Sequence, residues 1–166
     1  MKKSSLKWST SDGYSIALMH NAWENILQTC KKAANKETGG ILIGYYTDDL
    51  TTAVVTESTP PPKDSKSDYT WFYRGIDGLK RLLIRRWKEP RRCYYLGEWH
   101  YHPAKKVKPS HDDINQMVRI SSEENYNCRE PIMLVVGHDY GETRQIKAFV
   151  FPRGKAMIEL VYEKDV

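Results

Sequence analysis

An α+β domain, a mixed β-sheet flanked by helices, is the architecture this sequence predicts, and three observations carry it. Short apolar runs with strand character are interspersed with segments whose apolar residues recur every three to four positions. Neither a strict βαβα repeat nor a glycine-rich phosphate loop is present, which argues against a doubly wound parallel sheet. At 166 residues and 40% hydrophobic content, with five Trp, eleven Tyr and three Phe, there is apolar area for one core, and residues 1–166 read as a single domain.

The elements follow in order. Trp23, Ile26, Leu27, Cys30 and Ala34 recur at helical spacing. They predict an amphipathic helix that Asn21 caps and that stops before Gly39-Gly40. Residues 41–46 and 52–56 are rich in Ile, Val, Tyr and Thr and flank Asp48-Asp49, which reads as two strands and a turn. Pro60-Pro61-Pro62-Lys63-Asp64-Ser65 is a loop. Leu79, Leu82, Leu83 and Trp87 mark a second helix, stopped by Pro90. Residues 94–102 form a strand whose regular pairing ends at Pro103, which has no N–H to donate. After the basic loop 104–109, Ser110 opens a third helix with Ile114, Met117 and Val118 on its apolar face. Residues 131–137, 145–151 and 157–162 are three late strands.

Composition excludes several classes. The longest purely aliphatic stretch, about 132–136, is far short of the roughly 20 residues that span a bilayer. Met1-Lys2-Lys3 leads into Ser4-Ser5 and Lys7 without the apolar core of a secretion signal, so a cytoplasmic location is expected. Cys30, Cys93 and Cys128 are odd in number and far apart, which fits reduced thiols. A net charge of +5 and a pI near 9.0 leave room for an acidic partner without demanding one. The densest basic cluster, residues 85–92, reads as a solvated helix end whose cations suit the C-terminal dipole.

One segment carries chemistry. His100-Tyr101-His102-Pro103 is followed by residues 104–109 and then Ser110-His111-Asp112-Asp113. Side chains alternate across a strand, so His100 and His102 project from one face with Cα atoms roughly 6 to 7 Å apart. Pro103 turns the chain out of the sheet, and the loop is long enough to return the next helix start over the strand end, where Asp113 can arrive as a third ligand. Two His and a carboxylate suit a catalytic zinc site with a fourth position open to water. A base must still take the proton, and Glu98 shares the strand face of the histidines. The bland alternative is two hydrogen-bonded sheet histidines beside an ordinary Ser110-x-x-Asp113 helix cap. The conjunction of both halves is harder to explain that way.

The pattern resembles the JAB/MPN metalloprotease family, whose signature is a glutamate, then H-x-H, seven residues, and S-x-x-D. Here H-x-H is His100 and His102, the seven are residues 103–109, and S-x-x-D is Ser110 to Asp113. The family's glutamate lies upstream at a strand start, and Glu37-Thr38-Gly39-Gly40-Ile41-Leu42-Ile43-Gly44 is similar to that segment. The resemblance covers most of the chain and implies a JAB/MPN (cytidine-deaminase-like) fold. It further implies that His100, His102 and Asp113 bind Zn2+, that Glu37 is the general acid/base, and that Ser110 helps stabilise the oxyanion. Glu98 then becomes a supporting or structural acid, and Asp112 gives way to Asp113 on spacing. His20, His111 and His138 have no comparable spacing and receive no role. Trp99 and Tyr101 alternate away from the histidines, into the core, and Thr38-Gly39-Gly40 leaves room for an extended peptide beside the strand.

Family members hydrolyse amide bonds after the C-terminal glycine of ubiquitin-like modifiers. Within the family the chain is similar to the prokaryotic branch, above all to the JAB peptidases of bacterial antiphage (CBASS) operons. That resemblance implies deconjugation of a cGAS-like nucleotidyltransferase whose C-terminal tail an E1/E2-like enzyme has joined to a target protein. The alternatives are processing of a sulfur-carrier or other ubiquitin-like precursor, and a non-catalytic MPN scaffold. A zinc nucleobase deaminase is excluded, since its H-x-E and P-C-x-x-C ligands are absent. Membrane association and nucleic-acid binding are not expected.

Overall fold

The computed structural model describes residues 5–140 and 145–164; the Met1-Lys2-Lys3-Ser4 start lies outside them. In chain order the elements are β1 (Leu6–Ser9), β2 (Ser15–Leu18), α1 (His20–Ala33), β3 (Thr38–Tyr46), β4 (Thr52–Ser58), β5 (Lys66–Ser67), β6 (Phe72–Tyr73), α2 (Leu79–Trp87), β7 (Tyr94–His102), α3 (His111–Ser122), a 3-10 turn (Glu124–Tyr126), β8 (Ile132–Gly137), β9 (Ile146–Val150) and β10 (Ile158–Tyr162). Eight strands close into a ring in the order β1-β10-β9-β8-β7-β3-β4-β2, while β5 and β6 form a separate hairpin. The sheet is mixed, as expected: β2–β4 and β7–β8 are parallel and the other ladders antiparallel. Parallel neighbours need a crossover, and α3 supplies the one between β7 and β8. None of the described helices is long and apolar enough to cross a membrane.

Two apolar clusters sit on opposite faces of the sheet. One draws on every strand of the ring together with Ala22, Ile26 and Cys30 of α1, and includes Trp99 and Tyr101. Trp99 donates its indole N–H to the Thr59 carbonyl (2.9 Å) and Tyr101 its hydroxyl to that of Ala34 (3.0 Å), so neither buried polar group is left unpaired. The second cluster joins Ile41, Ile43, Met133, Val135 and Phe149 on the outer face to Met117 and Ile120 of α3. Burial of each of those two helix residues stabilises the docked helix by roughly 1.5 to 3 kcal/mol. Asp113, Met117, Ile120 and Ser121 form the buried stripe of α3, so the packing that fixes the helix also aims Asp113 at the sheet.

The structure differs from the sequence reading in several places. The four-residue strands β1 and β2 precede the first expected element. Helix α1 starts at His20, its N-cap is Met19 without a side-chain bond, and Asn21 is an exposed helical residue. Gly39 and Gly40 lie inside β3 instead of ending a helix. Val118 is 49% exposed, and Ile120 takes its place on the buried face. A bulge shifts the β3–β7 register between Leu42 and Ile43, at Gly97 of β7. The bulge puts Tyr95 and Glu98 on the same face despite their odd spacing. A side chain at Gly97 would collide with the Ile132 carbonyl oxygen of the neighbouring strand.

Candidate metal centre

Strand pairing assembles the site. In the antiparallel β3–β7 ladder Thr38 faces Tyr101 and Gly39 faces His100; one more residue along that register sets Glu37 opposite His102. Glu37, His100 and His102 are all buried. The crossover after His102 then returns the start of α3 over the strand end. There Ser110 caps the helix in a reciprocal box: its hydroxyl accepts the Asp113 N–H (3.1 Å), and Asp113 Oδ2 accepts the Ser110 N–H (2.8 Å). The cap locks Asp113 against the two imidazoles. Ser110 is half-buried, and Asp112 beside Asp113 is exposed.

His100, His102 and Asp113 each offer a ligand atom within 4.8 Å of the others, a group that could hold a metal ion. Asp113 Oδ1 lies 3.0 Å from His100 Nδ1, and Oδ2 lies 3.3 Å from His102 Nε2. Burial opposes the charge on Asp113, but the two histidines and the Ser110 N–H outweigh it and hold the carboxyl well below the usual carboxylate range. Burial likewise pulls His102 down, and Asp113 and Glu37 more than reverse it, so its pKa is raised. Glu37 Oε1 is 3.6 Å from His102 Nε2, while Oε2 is 3.1 Å from Lys105 Nζ. Lys105, on the loop between β7 and α3, thus holds one carboxylate oxygen and leaves the other turned to the histidines.

Burial without aligned partners is concentrated here. Among the described residues five buried side-chain polar atoms lack a hydrogen bond, and four of them belong to Glu37, His100 and His102. The contacts of Asp113 with His100 and of Lys105 with Glu37 are therefore close charge pairs without hydrogen-bond alignment. A buried polar group left unpaired costs free energy, and such a group of nitrogens and carboxylate oxygens fits a cation that would satisfy them together.

Glu98 has no such freedom. Fully buried, it accepts hydrogen bonds from Arg74 Nε and, at 2.7 Å, from the Tyr95 hydroxyl, and Arg74 goes on to Tyr126 (3.0 Å). It belongs to a network beside the histidines.

Residues 60–76 wall the other side. Asp64 accepts the N–H groups of Ile76 (3.0 Å) and Asp77 (2.9 Å), and the Ser65 hydroxyl accepts that of Gly75 (2.9 Å), so the proline-rich loop is pinned to the segment after β6. The Glu37 N–H donates to the Asp68 carbonyl (2.9 Å), and the Phe72 ring meets His100 edge-on with centroids 5.2 Å apart. Phe72, Arg74 and Lys105 are the neighbours that the sequence reading did not single out. Only Lys105 left a signal, as part of the basic loop. His111 and His138 are exposed, and His20 sits 3.6 Å from Glu24; none of the three belongs to the metal-ligand group.

Comparison with known proteins gives the family of the chain. A protein of Enterobacter hormaechei subsp. hoffmannii (strain UCI 50) named CD-NTase/cGAS isopeptidase is 43% identical over 147 residues, covering 89% of this chain and 81% of its own. A solution structure from Desulfitobacterium hafniense shares the fold at TM-score 0.57 and 20% identity, covering 87% of this chain and 88% of that one. A JAB1/MPN domain protein from Archaeoglobus fulgidus aligns at TM-score 0.49 and 18% identity, over 87% and 95% of the two chains. The family model described as prokaryotic homologs of the JAB domain matches residues 19–151. This chain is a member of the prokaryotic JAB-domain family.

Proposed function

We propose that this chain is a zinc-dependent isopeptidase that releases a CD-NTase/cGAS-like nucleotidyltransferase from proteins to which its C-terminal tail has been joined. One observation carries the reading: a buried His100–His102–Asp113 group with unpartnered ligand atoms lies beside the equally buried Glu37. The 43% identical relative named CD-NTase/cGAS isopeptidase supports that substrate over a sulfur carrier. On this reading an E1/E2-like enzyme makes the conjugate, and both act in the cytoplasm in antiphage (CBASS) defence. Residues 1–166 form one JAB domain, supported by a ring that pairs β1 with β10.

The donor set, two imidazoles and a carboxylate, is that of a catalytic zinc site with a position to spare. Zinc held by His100, His102 and Asp113 would supply Lewis acidity, making water acidic near neutral pH and polarising an amide carbonyl. The remaining work falls to the protein. Glu37 Oε1 takes a proton from the attacking water; as the C–N bond breaks, the same carboxyl returns it to the departing lysine amine. Lys105 holds the other oxygen of Glu37 and so fixes which one faces the reaction. The Ser110 hydroxyl accepts the Asp113 N–H through a lone pair, which leaves its own proton free to donate to the carbonyl oxygen as charge develops there. Phe72 and the hairpin exclude water from one side of His100.

The test is a pair of variants assayed with a reporter fused to a CD-NTase C-terminus. Glu37→Ala retains about one zinc per chain and loses cleavage by roughly 10²-fold or more, whereas Asp113→Ala loses the metal. Chelation abolishes turnover and zinc restores it. Retained turnover in Glu37→Ala, or the same loss of turnover with zinc kept in Glu98→Ala alone, would overturn the assignment of the base.

A further inference from the structure

The segment that walls the histidines is anchored by a charge. Between Lys63 and Lys80 one side chain is buried, that of Arg74, which is 6% exposed. Hairpin β5–β6 within the segment pairs only Lys66 with Tyr73 and Ser67 with Phe72, too few residues to hold itself in place. The bonds of Asp64 and Ser65 close the segment on its own residues 75–77 and do not reach the sheet. Arg74 does reach it. Its Nε donates to Glu98 of β7, its Nη2 to the Tyr126 hydroxyl just beyond α3 (3.0 Å) and its Nη1 to the Gly75 carbonyl (2.9 Å). Three nitrogens in one rigid plane meet three partners, a grip that the single ammonium of a lysine does not reproduce.

The spacing of these contacts ties the anchor to the metal centre. Phe72 meets His100 and Arg74 meets Glu98, so a two-residue step along the segment matches a two-residue step along β7, run in the opposite direction. Each step spans roughly 7 Å of extended chain, which leaves no slack between the two contacts. With Arg74 fixed, the Phe72 ring stays at the edge of His100. The same placement keeps the carbonyl of Asp68, in the turn between β5 and β6, on the Glu37 N–H (2.9 Å).

We propose that Arg74 is a positioning residue of the metal centre: its pairing with Glu98 and Tyr126 latches the β5–β6 hairpin so that Phe72 fixes the His100 ring and Asp68 fixes the Glu37 backbone. The proposal rests on the zinc-dependent isopeptidase reading for the roles of His100 and Glu37. It gives the buried Arg74–Glu98 pair a task beyond stability. A ligand ring already held in one orientation gives up less freedom when it takes a metal, and groups that orient a ligand act strongly on affinity.

Arg74→Met alone orphans Glu98, so the test combines it with Glu98→Gln, which keeps an acceptor for the Tyr95 hydroxyl. Amide exchange, followed by NMR on the full metal-free chain, reads the latch directly. The double variant exchanges the Glu37 N–H at least about tenfold faster, while amides of the β8–β9 ladder keep their protection; a general loss of stability would move both. Competition titration then gives a zinc dissociation constant raised about tenfold or more. Because the latch acts through Phe72, adding the double variant to Phe72→Ala weakens zinc binding by less than about twofold beyond Phe72→Ala alone. Wild-type exchange at Glu37, uniform acceleration of all amides, or zinc losses that add in full overturns the proposal. Should the double variant not fold, Tyr126→Phe decides: it removes one partner of Arg74, and both readouts move the same way by about twofold or more. Unchanged values there overturn the latch. The isopeptidase reading fails separately. If the variants behave as expected but the zinc-loaded wild type cleaves no reporter carrying a CD-NTase tail, the latch stands and that reading falls. If the wild type takes up no zinc, the metal reading falls and exchange at Glu37 still decides the latch.

Discussion

Gly39 and His100 face each other across the β3–β7 ladder with no room for a side chain between them. A Cβ at residue 39 would stand 2.8 Å from His100 Cδ2 and 2.8 Å from Phe72 Cε1, and would strike the Trp99 carbonyl oxygen. The backbone oxygen cannot yield without disturbing the ladder. Gly39→Ala is therefore expected to cost about 1 to 3 kcal/mol of stability and to tilt His100 away from Asp113. Thermal unfolding and zinc titration of the same variant check both effects.

The Arg74–Glu98 pair supports a second prediction. Both groups are buried, so removing one leaves the other charged and unpaired. Glu98→Ala is expected to destabilise the chain by about 3 to 5 kcal/mol, whereas replacing both partners by apolar residues of similar volume costs much less. Chemical denaturation of the single and double variants distinguishes the two. A loss in the double variant equal to the sum of the two single losses would show that the pair is not energetically coupled.

The raised pKa of His102 sets the sign of a pH effect. In the metal-free chain its stabilising contribution is fully present below the unfolded value of about 6.5, and is lost as pH rises through the higher folded value. Zinc needs the neutral imidazole, so metal affinity moves the other way and falls on acidification. The difference in Tm between zinc-loaded and metal-free protein should therefore widen from about pH 6 to about pH 8. Calorimetry across that range reads it, and a constant difference would contradict the argument.

Burial pushes the Cys30 and Cys128 thiols up to about 12, so neither carries thiolate near neutral pH. A disulfide-exchange reagent at pH 8 is expected to leave both unmodified in the folded chain and to modify them promptly in denaturant. Mass spectrometry of the labelled peptides gives the answer residue by residue.

What could be read from the sequence was whatever the chain keeps close together. His100, His102, Ser110 and Asp113 sit within fourteen residues, and alternation along a strand followed by a helix cap is enough to bring them to one place. Glu37 is different. Its partner lies across an antiparallel ladder, and the local pattern offered Glu98 equally well until the family resemblance decided between them. The bulge at Gly97 helps to separate the two acids, since it brings Tyr95 onto the face of Glu98. Arg74 and Phe72 left no periodic signal because their partners are on β7. Strands β1 and β2 escaped notice for a related reason: in four-residue segments that include Ser and Lys, the burial of Trp8, Ile16 and Leu18 makes sense only once the ring is closed. Gly39-Gly40 resembled a helix stop, and only the crowding around Gly39 explains why a strand needs small residues there.

Closure of the ring through β1 and β10 has a kinetic corollary. Trp8 pairs with Tyr162, so a strand synthesised early waits for one made at the far end before both of its edges are covered. Such distant pairing slows folding, because a large loop must be ordered before the contact rewards it. During that interval the β1–β2 hairpin presents an unprotected edge to other nascent chains. Expression at high temperature or without chaperones is where this chain would aggregate, however firmly its His100–His102–Asp113 group is held.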